Sequence, residues 1–571
     1  MIVIVVPALA LLAWLALGGT APRADFVFTS LEPRTVDPQR VSWLPEIQLA
    51  SAMFEGLARL NAETHLPEPA VAERWDTDES QTVWTFHLRS SARWSNGAPV
   101  LAEHFRFAWL RALDAKVAAQ YASLLFVIRG AEAYYKSRTD EDPANDVPAE
   151  SVGVAALDSS TLHVTLAAPC SYFLDLTSFP TFAPLYSPAI ERWAHRDERV
   201  RSPTQHLWTR PENIVCNGAF VLTRWDFKKQ ILLRRNPHYW DADRIRAATI
   251  EAYITADPNA ALLAYETGRV DLVRGLEPAV ARALLAEQHA GRRPDFHVGD
   301  RFATFFYRVN CRRPPLDDPD FRKALSLTID RAAICAHVTG LGEVPTATYV
   351  PRGAVALMPR LAADGRTIYY DPPAGLGAGL SYSECVALAR EHVARYSRRS
   401  GAGAIRPIEL AFPPEPEQRR IAEAVQRMWE SALGLRVELR TLESKVLATR
   451  IRDLDYDVAR SDWFGDYLDP GTFLNMFTTD NGQNRTGWSH EPYDRLIAAA
   501  AVEPDNERRY AQFAEAERIL CQEELPILPV FQRRGNFLLR PSFTGLRDHV
   551  LDRLPIHRVR RAAPFPGSPD L

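Results

Sequence analysis

The chain has no CxxC pair and no Cys/His cluster at metal-ligand spacing: its six cysteines, Cys170, Cys216, Cys311, Cys335, Cys385 and Cys521, are scattered through 571 residues. Zinc sites draw thiolate and imidazole ligands from short, clustered spacings, so the pattern argues against a zinc centre. Spacings this long leave both disulfides and buried free thiols open. No HExxH, GxSxG or EF-hand loop occurs, and without such motifs the sequence reads as a protein that is not an enzyme and carries no cofactor. Positive charge is not in excess. With 67 Lys+Arg against 71 Asp+Glu, the formal net charge is −4 and the pI is near 6.4, which removes the basic footprint that nucleic-acid binding requires. Gly375, Gly377 and Gly379 do not form a phosphate cradle, because no Lys-Ser or Lys-Thr follows them; the stretch from Pro372 to Gly379 reads as a surface loop. No internal repeat is evident.

What is present is enough apolar material for several cores. Hydrophobic residues make up 46% and charged residues 24% of the chain, which is the balance of a large globular protein. From Ile2 to Leu17 the sequence is wholly apolar, about the length of a signal-peptide core and short for a membrane span. Residues 1–21 therefore read as a signal peptide or a retained N-terminal anchor, although no Lys or Arg precedes Arg23 to supply the usual positive start. No cysteine lies near this segment, so attachment through a lipidated cysteine is not available.

Local periodicity places elements along the rest. Between Val83 and Arg89, Trp84, Phe86 and Leu88 alternate with Thr85, His87 and Arg89, the period of a half-buried strand. A turn at Asn96-Gly97 leads to a helix with Phe105, Ala108, Trp109 and Ala112 on one face. Val152 to Ala156 and Leu162 to Leu166 form a hairpin around Asp158-Ser159-Ser160. Asp257-Pro258 caps a helix that Gly268 stops, and a strand over 270–273 follows. Two helices are expected over 321–329 and 332–338. From Pro407 to Arg460 the order is strand, helix, strand, helix, strand, with strands at Ile408–Phe412, 436–442 and 456–460. Such βαβαβ units build parallel sheets whose ligands bind beyond the carboxyl ends of the strands, which points to the loop after Arg460.

That segment, Tyr456 to Pro470, is rich in aromatics and carboxylates: Arg460, Asp462, Trp463, Phe464, Gly465, Asp466, Tyr467 and Asp469. On composition alone it reads rather as an acidic, solvated loop with Trp463 and Tyr467 packed on a core. It resembles the peptide-binding members of extracellular solute-binding protein family 5, in which a Val-Ala-Arg, Trp, Ala/Gly-Asp-Tyr, Asp/Glu-Pro run is found. The likeness continues in order through Phe54-Glu55-Gly56-Leu57, Val71-Ala72-Glu73-Arg74-Trp75, Trp84 to Arg89, Trp94 to Val100, Asn217-Gly218-Ala219-Phe220 and Phe473-Leu474-Asn475. It covers about residues 25 to 555.

The resemblance implies an α/β, two-lobed, hinged binding protein of the type II periplasmic fold. Lobe I would comprise 25–55, 183–302 and 535–571, an extra α+β domain 56–182, and lobe II 303–534. It implies a periplasmic, monomeric receptor, tethered if residues 1–21 are retained, that hands short peptides to an ABC permease and its ATPase subunits. Asp466 would hold the peptide's α-ammonium, Arg460 would lie near its carboxylate end, Tyr121 would face it, and Trp463, Phe464 and Gly465 would wall it. An α-ammonium and a carboxylate are both charged at neutral pH and costly to separate in an enclosed site. Gln418 stands where related proteins often have histidine, and Ser444 where they have tryptophan, so peptide length does not transfer. Two alternatives remain at this level: a receptor for a non-peptide solute (metal chelate, haem or glycan), and a membrane-tethered sensor or chaperone on the same fold.

Overall fold

Alternation decides which face of each strand meets which core. In strand Phe26–Ser30, Phe26 and Phe28 enter one hydrophobic cluster and Val27 another; in Phe296–Val309, Phe305 and Tyr307 pack on one side and Phe302 and Phe306 on the other. Each fully buried phenylalanine contributes about 2–3 kcal/mol of apolar transfer. The structure is a computed structural model describing residues 23–61, 63–64, 66–139, 145–197, 207–352, 358–362, 364–401, 405–479, 481–546, 550–551 and 554–562. The apolar segment 1–21 lies outside the described residues. Among the described residues, no helix is long and apolar enough to cross a membrane.

An 11-stranded sheet runs through the molecule. Its order is Val437–Thr441, Ile408–Phe412, Val458–Phe464, Phe296–Val309, Ile527–Leu539, Leu272–Arg274, Phe26–Ser30, Thr249–Ile254, Gln230–Arg235 and Phe220–Asp226, with Val344–Pro345 paired to Ile527–Leu539 off this path. Each half has its own parallel group. Phe26–Ser30 is parallel to Thr249–Ile254 and Leu272–Arg274, and Ile408–Phe412 is parallel to Val437–Thr441 and Val458–Phe464. The long strands Phe296–Val309 and Ile527–Leu539 pair antiparallel and belong to both halves. Their register breaks between Asp300, opposite Arg534, and Thr304, opposite Gln532. Extra residues on one strand bend it and raise its twist.

The expected βαβαβ unit forms, as Ile408–Phe412, helix Pro416–Leu433, Val437–Thr441, helix Ser444–Arg452 and Val458–Phe464. Gly434 ends the first helix at φ +66°. One expectation needs correction: the segment directly after Arg460 is not a loop. The strand continues to Phe464 because Ser461, Asp462, Trp463 and Phe464 pair with Phe306, Phe305, Thr304 and Ala303 of the long strand, a non-local partner that local composition does not reveal.

The helix expected over 321–329 is observed as Pro319–Leu327, capped by Asp318. The next helix runs from Arg331–Ala333 into a wider turn, Ile334–Thr339, that Gly340 stops at φ +71°. Asp257 caps Pro258–Glu266 as its sequence predicts, its side chain accepting from the Asn259 N–H.

A separate antiparallel sheet, Ala72–Thr77, Val83–Leu88, Thr161–Thr165 and Val154–Ala156, carries the predicted alternation, with Trp84, Phe86 and Leu88 buried. Helix Ala102–Ala112 covers it through Phe105, Ala108, Trp109 and Ala112, all buried. Two of the motifs that resemble the family tie distant segments of the chain together. The Asn217 side chain accepts from the Glu55 N–H and donates to the Glu55 carbonyl, while the Glu55 carboxylate accepts from Tyr239 Oη and Trp240 Nε1, both at 2.5 Å. Gly56 and Gly218 are required by close approach: a Cβ would sit 2.0 Å from the Thr177 carbonyl oxygen and 2.6 Å from the Met53 carbonyl carbon, respectively. All six cysteines are free thiols, four of them buried.

Candidate functional site

The carboxyl end of Val458–Phe464 pairs with Phe296–Val309 beside the register break, with Phe464 opposite Ala303. Successive strand residues point to opposite faces, so Arg460 and Asp462 share one face while Ser461 and Trp463 share the other. On the first face Arg460 Nη2 lies 2.6 Å from Asp462 Oδ2, and Arg533 Nη2, reaching from Ile527–Leu539, lies 2.9 Å from the same oxygen. Gln418, in the first turn of Pro416–Leu433, accepts from Arg460 Nε at 2.9 Å, and Glu417 lies 3.8 Å from Arg533. Both guanidinium carbons stand 5.3 Å from the Phe305 ring centroid, which adds cation–π attraction. Burial disfavours the Asp462 anion, but Arg460 and Arg533 outweigh it and hold the carboxyl below its ordinary value; burial draws the Arg460 guanidinium down.

On the second face, Thr472 orders the end of the strand. Trp463 Nε1 donates to its carbonyl at 2.8 Å, and the Asp466 N–H donates to its Oγ1 at 3.0 Å. Gly465 donates its N–H to the Phe302 carbonyl, and a Cβ there would lie 2.3 Å from the Phe302 ring, so a side chain is excluded. Phe464 is 49% exposed, whereas Trp463 and Asp466 are half-buried. Arg460, Trp463, Phe464, Gly465 and Asp466 thus follow one another along this strand and just past its end, with Arg460 and Trp463 on opposite faces. Tyr121 lies on a different element and packs edge-on against Phe179 at 4.8 Å, joining the first core rather than this strand.

The two sides nevertheless touch next to Asp466. Tyr467 stacks on Tyr172 with centroids 4.3 Å apart and planes 11° from parallel, and it joins the core of the first half. Beneath it Asp469, fully buried, receives Arg509 Nη1 at 2.7 Å and Nη2 at 2.8 Å; Arg360 lies 3.7 Å from Asp469 and 3.8 Å from Asp175. Sequence reasoning did not find Arg533, Asp462, Tyr172 or Arg360. The alternation of charge at 460 and 462 was a usable signal for Asp462; the other three come from distant segments.

Two parallel strand groups joined through two long antiparallel strands are the architecture of a two-lobed binding protein of the type II periplasmic fold. The chain belongs to the bacterial extracellular solute-binding proteins of family 5, whose middle-region model matches residues 67–485. It is 31% identical over 528 residues to the dipeptide-binding protein DppE of Bacillus subtilis, covering 92% of this chain and 89% of that protein. The murein tripeptide binding protein MppA of Escherichia coli matches with a TM-score of 0.75 at 27% identity, over 95% of this chain and 99% of that one. OppA of Haemophilus influenzae in complex with RPPGFSPFR matches with a TM-score of 0.73 at 26% identity, over 95% and 99%. Members of this family are binding proteins.

Proposed function

We propose that this protein is a monomeric, extracytoplasmic receptor that captures short peptides in the crevice between its lobes and delivers them to an ABC permease and its ATPase subunits, without chemical turnover. The reading is supported by the run Arg460, Trp463, Phe464, Gly465 and Asp466 along and just beyond the carboxyl end of Val458–Phe464, on a chain that matches a peptide-bound relative over nearly its whole length. Asp466 anchors the peptide's α-ammonium. The remaining backbone lies extended and is held by main-chain hydrogen bonds, so affinity depends little on side chains. Tyr121 closes on the ligand from the opposite side. Residues 25–55, 183–302 and 535–571 act as lobe I, 56–182 as an inserted domain and 303–534 as lobe II; hinge bending occurs where the long strands lose register. The apolar stretch within 1–21 directs export to the periplasm and, if retained, tethers the receptor to the inner membrane.

Calorimetric titration tests this with the protein freed of ligand and a set of tri- to pentapeptides, each also N-acetylated. Free-amine peptides should bind and acetylated ones should bind about 100-fold or more weakly, as should the free-amine set on Asp466→Ala, because separating a desolvated ion pair costs about 3 kcal/mol or more. Heat from neither set would sink the peptide assignment.

A further inference from the structure

Two guanidinium groups converge on one internal carboxylate at the crevice. Arg460 approaches Asp462 through Nη1 at 3.3 Å and Nη2 at 2.6 Å, and Arg533 adds Nη2 at 2.9 Å. The three side chains are 19%, 23% and 19% exposed, in the order Arg460, Asp462, Arg533, so they face limited solvent rather than bulk water. Arg533 Nε is buried with no hydrogen-bond partner among the described residues. Paired arginines with their forks turned to one point form a receptor for a carboxylate or phosphate. Here the anion is covalently part of the chain.

We propose that Asp462 is an internal stand-in for a ligand carboxylate: it fills the Arg460–Arg533 anion site, so the crevice gains nothing from a peptide's terminal carboxylate. The identity of the ligand rests on the peptide reading above, whereas the filled anion site does not. A free carboxylate arriving here must compete with one held at high effective concentration by its own strand, or sit beside it as a like charge in a low-dielectric crevice. Peptides that run past this point, or that end in a neutral amide, meet neither difficulty. The site thus sets specificity by what it withholds.

Asp462→Asn removes the charge and keeps the shape, leaving Arg460 and Arg533 to share an outside anion, with Glu417 at 3.8 Å from Arg533 the nearest internal carboxylate. Peptides of one sequence, prepared as free acid and as C-terminal amide, should bind the wild type within about threefold of each other, and the free acid should lead by about tenfold on Asp462→Asn. Arg533→Gln should shift the ratio the other way, favouring the amide, because Asp462 then repels a second carboxylate with one cation fewer beside it. A peptide-independent arm uses sodium acetate at constant ionic strength set with chloride: acetate should raise the melting temperature of Asp462→Asn and leave the wild type unmoved. Peptide binding with an unchanged acid-to-amide ratio in both variants overturns the stand-in role and leaves the peptide reading intact. No peptide binding by any variant, with Asp462→Asn still stabilised by acetate, overturns the peptide reading and keeps the anion site. A wild type that already prefers the free acid about tenfold overturns the proposal outright, and if Asp462→Asn does not fold, the Arg533→Gln ratio decides.

Discussion

Replacing Asp469 by Asn should be among the most destabilising single changes outside the apolar cores. The side chain of Asp469 is 0% exposed and that of Arg509 3%, and the two join through parallel bonds of 2.7 and 2.8 Å. Asp469 also accepts from the Gly471 N–H at 2.9 Å and lies 3.7 Å from Arg360, which is itself 9% exposed. Removing one member of a buried pair leaves an uncompensated charge and costs about 3–5 kcal/mol. Two cations lose their shared anion here, which places the expected loss toward the upper end. Urea unfolding followed by tryptophan fluorescence should show the midpoint falling with little change in slope. Combining Asp469→Leu with Arg509→Leu should recover a good part of the loss, since apolar volume often substitutes for a buried ion pair at little net cost. Burial opposes ionisation of Asp469, yet Arg509 outweighs it and holds the folded-state value below the usual 3.8. The contribution is therefore present above the unfolded-state value and is lost as pH falls through the folded-state value, so the gap between wild type and Asp469→Asn should narrow below pH about 4. A loss under about 1 kcal/mol at pH 7, or a double variant no better than the sum of the single changes, would refute the argument.

Glu517 should make stability fall with rising pH. Burial pushes its carboxyl up to about 7 although the Tyr349 and Val350 N–H groups and Tyr370 Oη all donate to it. The folded value is raised, so the stability it confers is present below the unfolded value and is lost as pH rises through the folded value; Glu517→Gln should flatten that dependence in melting curves taken from about pH 5 to 8. Gly218→Ala should lower the melting temperature, because its Cβ would meet the Met53 backbone at 2.6 Å, and overpacking against backbone costs about 1–3 kcal/mol or more. Tyr172→Ala removes the stack on Tyr467 and should weaken ligand binding by about tenfold or less, through loss of about 0.5–1.5 kcal/mol of contact between the two sides. Calorimetry with the peptide set would detect it.

Much of the fold was legible because the strongest signals are local. The alternation of Trp84, Phe86 and Leu88, the Asp257-Pro258 cap and the βαβαβ order expected between Pro407 and Arg460 each depend on neighbours in sequence, and each of these elements forms in that order. The end of the last strand was misplaced for the opposite reason. Ser461 to Phe464 look like a polar and aromatic loop, and they are strand only because Ala303 to Phe306 offer a second ladder from far along the chain. The motif glycines mark another limit: Gly56 and Gly218 look like turn residues, yet neither has a positive φ, and each is needed because another segment's backbone occupies the space of a Cβ.

The site follows the same division. Arg460, Trp463 and Asp466 lie on one contiguous run, along and just past the strand Val458–Phe464. What that edge does depends on Arg533 and Gln418, which come from other segments and meet the Arg460–Asp462 pair only in the folded chain. An arginine read alone beside a binding crevice suggests a grip on ligand carboxylate. Once Arg533 and Asp462 are placed beside it, its charge is already shared with an internal carboxylate. Spacing along the chain located Arg460 on its strand, whereas its electrostatic surroundings are set by side chains from elsewhere in the fold.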